Sequence, residues 1–157
     1  LPETPIESLG ISAAMLFMSG EVRRLFPYDP ELDFGLHAEE QVLYAVRLWT
    51  HGYDIFCPTR HALATDYEGS RDRIPDEVKR ISNSNSAGWP QASWSKVQFL
   101  LGLDTREQVD LVYQDSLAEC IQRYGLGDER TLLDYYRYAG IHDQLRETFP
   151  NYLYRDE

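Results

Sequence analysis

The amino-acid sequence predicts an α/β fold with short strands in the first half of the chain and a mostly helical second half. Three observations support this prediction. Residues 11–18 (Ile-Ser-Ala-Ala-Met-Leu-Phe-Met) form an apolar run of the length expected for a buried strand. From residue 38, apolar residues recur at helical spacing. After residue 95 this spacing recurs in three separate stretches, which predicts a helical tail.

Composition limits both the size and the partners of the protein. The chain has 157 residues, of which 43% are hydrophobic, enough for the core of one domain. Its net charge of −11 repels phosphate groups, so we expect neither a nucleic-acid partner nor an anionic membrane surface. The sequence has neither a signal peptide pattern nor an apolar run long enough to span a membrane. With two distant cysteines, Cys57 and Cys120, we expect a cytoplasmic protein.

Capping residues and prolines indicate where the helices and strands of the first half begin and end. Ser19 is a candidate helix cap for one short turn. The two prolines in residues 26–30 (Phe-Pro-Tyr-Asp-Pro) exclude regular structure there and direct the chain along a set path. Residues 53–57 (Tyr-Asp-Ile-Phe-Cys) have the composition of a strand and precede a proline.

A helix is predicted from Ala38 to the end of the Trp-Thr-His run at residue 51. Val42, Val46 and Trp49 follow the spacing of a buried helical stripe, and Leu43 and Thr50 widen it. Gly52 is placed to end the helix in a left-handed conformation.

Residues 68–95 are rich in charged and small polar residues, which predicts a mobile polar loop, with a functional loop as the alternative. Residues 96–157 form the predicted helical subdomain. Its helices begin near Trp94 and cover residues 108–123 and 128–139, with Gly140 as the last stop signal.

The densest group of polar residues is His37, Glu39 and Glu40 at the start of the predicted helix. A glutamate that faces a cleft beside a histidine can act as a general base or hold a sugar hydroxyl. Two adjacent glutamates in a first turn can also serve only the helix dipole. Because successive helical residues lie about 100° apart, the two carboxylates cannot share one face.

Other residues are weaker candidates. His61 and Asp66 have ligand types that suit Mn²⁺ or Mg²⁺, although solvated loop residues have the same composition. Trp49 and the tyrosines at 135, 136 and 138 have rings suited to stacking on a sugar or to packing in a core. No phosphate-binding loop, dinucleotide fingerprint, zinc-protease motif or nucleophile elbow occurs.

Several multi-residue blocks together resemble one known family. They are Phe-Pro-Tyr-Asp-Pro at 26–30, His-Ala-Glu-Glu at 37–40, Arg-Leu-Trp-Thr-His-Gly-Tyr-Asp at 47–54, Pro-Thr at 58–59, and Tyr-Gly-Leu-Gly-Asp-Glu-Arg-Thr-Leu at 124–132. In this order they resemble the polypeptide-hydroxyproline GlcNAc-transferase-like family, which is of the GT-A glycosyltransferase type. The resemblance extends over residues 12–141.

The resemblance implies a reaction and a set of site residues. Such enzymes move GlcNAc from UDP-GlcNAc to a protein or glycan hydroxyl with a divalent metal, Mn²⁺ or Mg²⁺. Glu39 and Glu40 match the acid pair of the family, which makes them the expected catalytic residues. His37, just before that pair, and Asp29 in the proline turn are the expected substrate-binding residues.

The resemblance also implies that the chain is the C-terminal half of a longer enzyme. Residues 1–67 would be the acceptor-side part of a GT-A-like catalytic domain. The nucleotide-binding half with its Asp-x-Asp motif would lie elsewhere, and most metal ligands would lie outside this chain. Two residues depart from the family pattern: Ala38 replaces a glycine and Thr65 replaces a histidine. They motivate an alternative, a non-catalytic remnant that binds a glycan or a protein.

Overall fold

The computed structural model describes residues 3–12, 15–30, 32, 38–60, 91–104 and 117–156. These residues form mainly helices with one small antiparallel strand pair. The strands are β1 (Ile6–Glu7) and β2 (Phe56–Cys57). The helices are α1 (Gly20–Leu25), α2 (Ala38–Thr50), α3 (Gln91–Leu100), α4 (Leu117–Tyr124), α5 (Leu132–Ala139) and α6 (His142–Thr148).

The strands are shorter than the sequence predicted. In the antiparallel pair, Ile6 lies opposite Cys57 and Glu7 lies opposite Phe56, so the strand predicted over 53–57 contracts to β2. The strand predicted over 11–18 is wrong for the described residues of that run, which form no strand, and Phe17 is fully exposed. An extended segment needs partners for its backbone groups, and no neighbouring strand pairs with those described residues.

Helix α2 is the central element, and its sequence-predicted start is confirmed at Ala38. It ends at Thr50, and Gly52 follows with φ +86°, as the sequence predicted. Of the predicted stripe, Val46 is buried in the core and Trp49 is partly buried against it, whereas Val42 is 45% exposed. Leu43 and Thr50, which were predicted to widen this stripe, are both buried.

The main core lies where α2 packs against α3 and α5. It draws on residues before the predicted polar loop and on residues after it, so the first and third predicted segments share one core. Its buried members are Leu43, Val46, Val97, Leu100, Leu101, Leu103, Leu132, Tyr135, Tyr136 and Tyr152. A second, smaller cluster joins Phe26, Tyr44 and Leu48.

Capping residues define several helix ends. Ser19 caps α1 by accepting a hydrogen bond from the Val22 N–H, as predicted. Thr131 caps α5 in the same way, so this helix begins four residues later than the predicted residue 128. Gly140 ends α5 with φ +68°, which confirms the predicted stop. Helix α6 was not predicted.

Parts of two predicted segments, the polar loop and the helix over 108–123, fall on residues that are not described. Helix α3 begins at Gln91, so residues 91–95 of the predicted polar loop are helical, while residues 61–90 lie outside the described part of the chain. Of the helix predicted over 108–123, the structure describes α4 from residue 117 onward. Among the residues described, no helix has the length and apolar character needed to cross a membrane.

Candidate functional site

The separate sequence blocks meet at Arg47, which lies in the last turn of α2 and is buried. Its Nη1 donates to the carbonyl oxygen of Pro27 at 2.6 Å, and its Nη2 donates to the carbonyl oxygen of Arg123 at 2.7 Å. Its guanidinium carbon also lies 5.5 Å from the centre of the Tyr124 ring. One side chain therefore connects α2 to the proline turn and to the end of α4.

Thr50 makes a second connection between the blocks. Its hydroxyl donates to the Arg47 carbonyl oxygen at 3.0 Å and accepts from the Gly127 N–H at 2.9 Å. Its carbonyl oxygen accepts from the N–H groups of Glu129 and Arg130 at 3.1 and 3.2 Å. The last carbonyl groups of a helix have no N–H partner within the helix. At the end of α2, residues 127–130 supply such N–H donors to Thr50.

The two glycines of the Tyr-Gly-Leu-Gly block are required by close backbone approach. A Cβ at Gly127 would lie 2.6 Å from the Thr50 carbonyl oxygen and 2.7 Å from the backbone nitrogen of His51. A Cβ at Gly125 would lie 2.2 Å from the carbonyl oxygen of Ile121. Both contacts involve backbone atoms, so no side-chain movement relieves them. The Tyr-Gly-Leu-Gly block therefore packs directly against the end of α2.

Where these blocks meet, the surface forms a small depression that is open to solvent. It combines two carboxylates, three phenols and one guanidinium with two leucine side chains. Its lining residues are Tyr28, Asp29, Leu32, Glu40, Leu43, Tyr44, Arg47 and Tyr124. We call it the α2 depression.

Glu40 is the member of the predicted acid pair that the structure brings to the α2 depression. It lies in the first turn of α2 near Tyr28, whose ring stacks on Tyr44 with centroids 4.4 Å apart. Burial raises the pKa of the Tyr28 phenol, and the neighbouring Tyr44 and Glu40 raise it further, while Arg23 opposes them. Tyr28 therefore stays protonated at neutral pH and is a hydrogen-bond donor beside a carboxylate.

Asp29, predicted to bind substrate, is buried at the α2 depression and pairs with a lysine that the sequence analysis did not identify. Its Oδ2 lies 2.6 Å from Nζ of Lys96 on α3. The two side chains are 4% and 1% exposed, respectively. The ion pair ties the proline turn to α3, and the substrate-binding role of Asp29 stays a prediction.

Sequence signals for the missed residues exist but are weak. Lys96 lies four residues before Leu100, so it shares a helical face with a core leucine. Arg47 lies four residues after Leu43 on the inward face of α2. A charged residue at such a position indicates that a partner is buried beside it. The two hydrogen-bond partners of Arg47 lie 20 and 76 residues away in the sequence, so spacing could not identify them.

The other predicted site residues lie partly or wholly outside the described residues. His37 is among those not described, and for Glu39 only the backbone, in α2, is described. Ala38 is the first residue of α2, and no described residue other than glycine has a positive φ. The helical backbone at this position accepts alanine, so the departure from the family glycine causes no strain there.

The predicted divalent metal has its candidate ligands outside the described part of the chain. Within the ranges that the structure describes, no three His, Cys, Asp or Glu side chains come together as a ligand group. The candidates His61 and Asp66, and Thr65 at the family histidine position, lie outside those ranges. The predicted divalent metal therefore stays a prediction that concerns other residues.

Comparison with known families gives one match. The family model described as "Glycosyltransferase (GlcNAc)" matches residues 2–145. Neither a curated protein nor a solved structure matches the chain. The matched range includes every sequence block that converges on Arg47 and Thr50.

Proposed function

Because the chain belongs to the GlcNAc glycosyltransferase family, we propose that it forms the acceptor-side half of an enzyme that moves GlcNAc from UDP-GlcNAc to a hydroxyl of a protein or glycan. The observation that carries the proposal is the convergence of the family-like blocks on one depression with Glu40 in its lining. The rigid contacts of Arg47 and Thr50 hold this arrangement in place.

The proposed chemistry assigns Glu40 to the acceptor. The acceptor oxygen attacks the anomeric carbon of GlcNAc, the bond from that carbon to the phosphate oxygen breaks, and UDP leaves with the bonding electrons. The Glu40 carboxylate takes the proton from the attacking hydroxyl or holds the donor sugar through its hydroxyl groups. Tyr28, whose raised pKa keeps its proton in place, lines the same depression and is a hydrogen-bond donor for a sugar hydroxyl in this proposal.

Substitution of Glu40 tests the proposal. In the full-length protein that the gene encodes, with UDP-GlcNAc, Mn²⁺ and candidate acceptors, we expect Glu40→Gln to lower transfer by about 10²-fold, as for a lost acid-base group. Glu21→Gln is the matched control because Glu21 is an exposed first-turn acid of α1. The thermal midpoints of both variants should match that of the native protein.

Two outcomes contradict the proposal in different ways. A native protein that neither transfers nor hydrolyses UDP-GlcNAc rules out the enzyme. An active protein whose rate is unchanged by Glu40→Gln shows that Glu40 is structural, and Glu39→Gln then tests the other member of the pair.

One observation favours the alternative, a binding module for a glycan or protein. The observation is Thr65, which stands where the resemblance to the family implies a histidine. Acceptor binding with no turnover in the same assay would support this second function. Restoring histidine at position 65 then distinguishes a decayed enzyme, which gains turnover, from a module of different origin.

A further inference from the structure

A second group of aromatic and charged side chains lies apart from the residues that line the α2 depression. It combines residues from the end of α2, the β1–β2 pair, the segment before α5 and α5 itself. We call it the aromatic platform, and its members are Glu7, Trp49, Asp54, Phe56, Arg130 and Tyr138.

Trp49 and Tyr138 form the centre of the aromatic platform. Their rings are nearly parallel, at an interplanar angle of 15° with centroids 6.2 Å apart. The buried Tyr135 packs edge-on against Trp49 at 5.4 Å and supports it from the core. Tyr138 is 52% exposed. The protein thus presents a tyrosine ring to solvent in a fixed orientation beside a supported indole.

Polar groups hold the same side chains in place. Arg130 lies 4.9 Å over the Trp49 ring, pairs with Asp54 at 2.8 Å and donates to the Gly52 carbonyl oxygen at 3.2 Å. The Tyr138 hydroxyl donates to the Glu7 carboxylate, and this hydrogen bond raises the pKa of Tyr138. Side chains that are fixed before binding lose less entropy when a ligand arrives.

Phe56 extends the aromatic surface. It lies directly opposite Glu7 in the antiparallel pair, and residues in such a pair project to the same face of the sheet. Phe56 is 53% exposed. The Glu7 carboxylate that meets Tyr138 therefore has a second exposed aromatic ring beside it.

These groups match the chemistry of a sugar ring. A pyranose has a flat face of C–H groups, which packs on the negative face of an aromatic ring, and a rim of hydroxyls that donate and accept hydrogen bonds. Carboxylates accept from such hydroxyls and a guanidinium donates to them. We propose that the aromatic platform is a binding site for a neutral saccharide.

Charge selects a neutral ligand over a nucleotide. The aromatic platform contains two carboxylates, Glu7 and Asp54, and one guanidinium, Arg130, and the whole chain carries a net charge of −11. A nucleoside diphosphate brings further negative charge to this surface and is repelled. An exposed ion pair adds little stability by itself, so fold stability alone does not account for the arrangement.

The site deepens the proposed function by naming a glycan as the acceptor class, and this assignment rests on the proposed function. An acceptor saccharide longer than one residue has sugars beyond the reacting hydroxyl that need a surface to bind. The saccharide binding itself does not depend on catalysis and is measured separately from transfer.

A titration with a neutral oligosaccharide tests the proposal. Chitotriose is added to the isotope-labelled full chain, and amide and indole signals are followed by NMR, with the Trp49 indole assigned from a Trp49→Phe variant. We expect millimolar binding with shifts centred on Trp49 and Tyr138. Tyr138→Ala should weaken binding by about tenfold or more because it removes a stacking ring, while Tyr138→Phe retains the ring and most of the affinity.

Two controls distinguish specific binding at the aromatic platform from non-specific binding to exposed aromatic rings. Phe17→Ala removes a fully exposed ring elsewhere and should leave binding unchanged. Uridine monophosphate should cause no shifts at the aromatic platform. Absence of shifts at saturating chitotriose, shifts equal for uridine monophosphate, or unchanged affinity of a folded Tyr138→Ala would each overturn the proposal. If chitotriose binds but no GlcNAc transfer occurs, the saccharide site stands and the proposed enzyme fails.

Discussion

Removing the charge of Lys96 tests whether the buried ion pair holds the proline turn to α3. The Nζ and Oδ2 atoms are 2.6 Å apart and both side chains are almost fully enclosed. Lys96→Met keeps the length of the side chain and leaves the Asp29 carboxylate buried without its lysine. Loss of one partner of a buried pair costs about 3–5 kcal/mol of unfolding free energy.

A double-mutant cycle makes the prediction specific to the pair. Asp29→Leu alone should cost a similar amount because it leaves the lysine charge buried. If the two losses were independent, the double variant would lose about 6–10 kcal/mol, as much as the whole stability of many domains. Because Lys96→Met and Asp29→Leu together replace both charges with apolar groups, we expect the double variant to lose much less than this sum.

Urea unfolding followed by far-ultraviolet circular dichroism measures the four free energies. An osmolyte such as trimethylamine N-oxide, present at the same concentration for all four proteins, keeps the single variants folded at zero urea. Single losses below about 1 kcal/mol would show that the pair behaves like a solvated surface pair. A double loss equal to the sum of the single losses would refute the coupling between Lys96 and Asp29.

Two further predictions concern the contact of Gly127 with the end of α2 and the buried Tyr135. Gly127→Ala should lower the unfolding free energy by about 1–3 kcal/mol, an overpacking cost, because its Cβ meets backbone atoms. The matched Gly10→Ala, which has open space, should change stability little, and equal midpoints for both in thermal unfolding would contradict the steric argument. Burial raises the pKa of Tyr135 to about 12. The unfolded tyrosine ionises from about pH 10, so between these values the unfolded state binds fewer protons and stability falls as pH rises. Denaturation at several alkaline pH values checks this, and an unchanged slope in Tyr135→Phe would contradict it.

Local signals predicted the elements that depend on local physics. The start of α2, the Ser19 cap and the glycine ends at 52 and 140 agree with the structure because capping and positive φ are properties of a few adjacent residues. The strand over 11–18 failed because apolar character alone does not supply a pairing partner. Helix α5 begins at Leu132 rather than 128 because Thr131 is extended and caps the helix by accepting a hydrogen bond from the Asp134 N–H.

The candidate site was predictable in its residue types but not in its contacts. The acid pair was identified, yet periodicity could only state that Glu39 and Glu40 face different directions. The contact of Glu40 with the α2 depression depends on Arg47 and on segments far along the chain. Lys96 was missed for the same reason, since its position on the face of Leu100 indicates burial but does not identify Asp29 as its partner.

The contact between Thr50 and Gly127 joins residues that are 77 positions apart. Closing a long loop costs entropy that grows only with the logarithm of its length, so doubling it adds about 0.6 kcal/mol. The length of the chain between these residues is therefore weakly constrained by the thermodynamics of this joint. The sequence separation affects the folding rate instead, because contacts between distant residues slow folding. Residues 124–130 are expected to reach the end of α2 late in folding, after the two segments have formed their own helices.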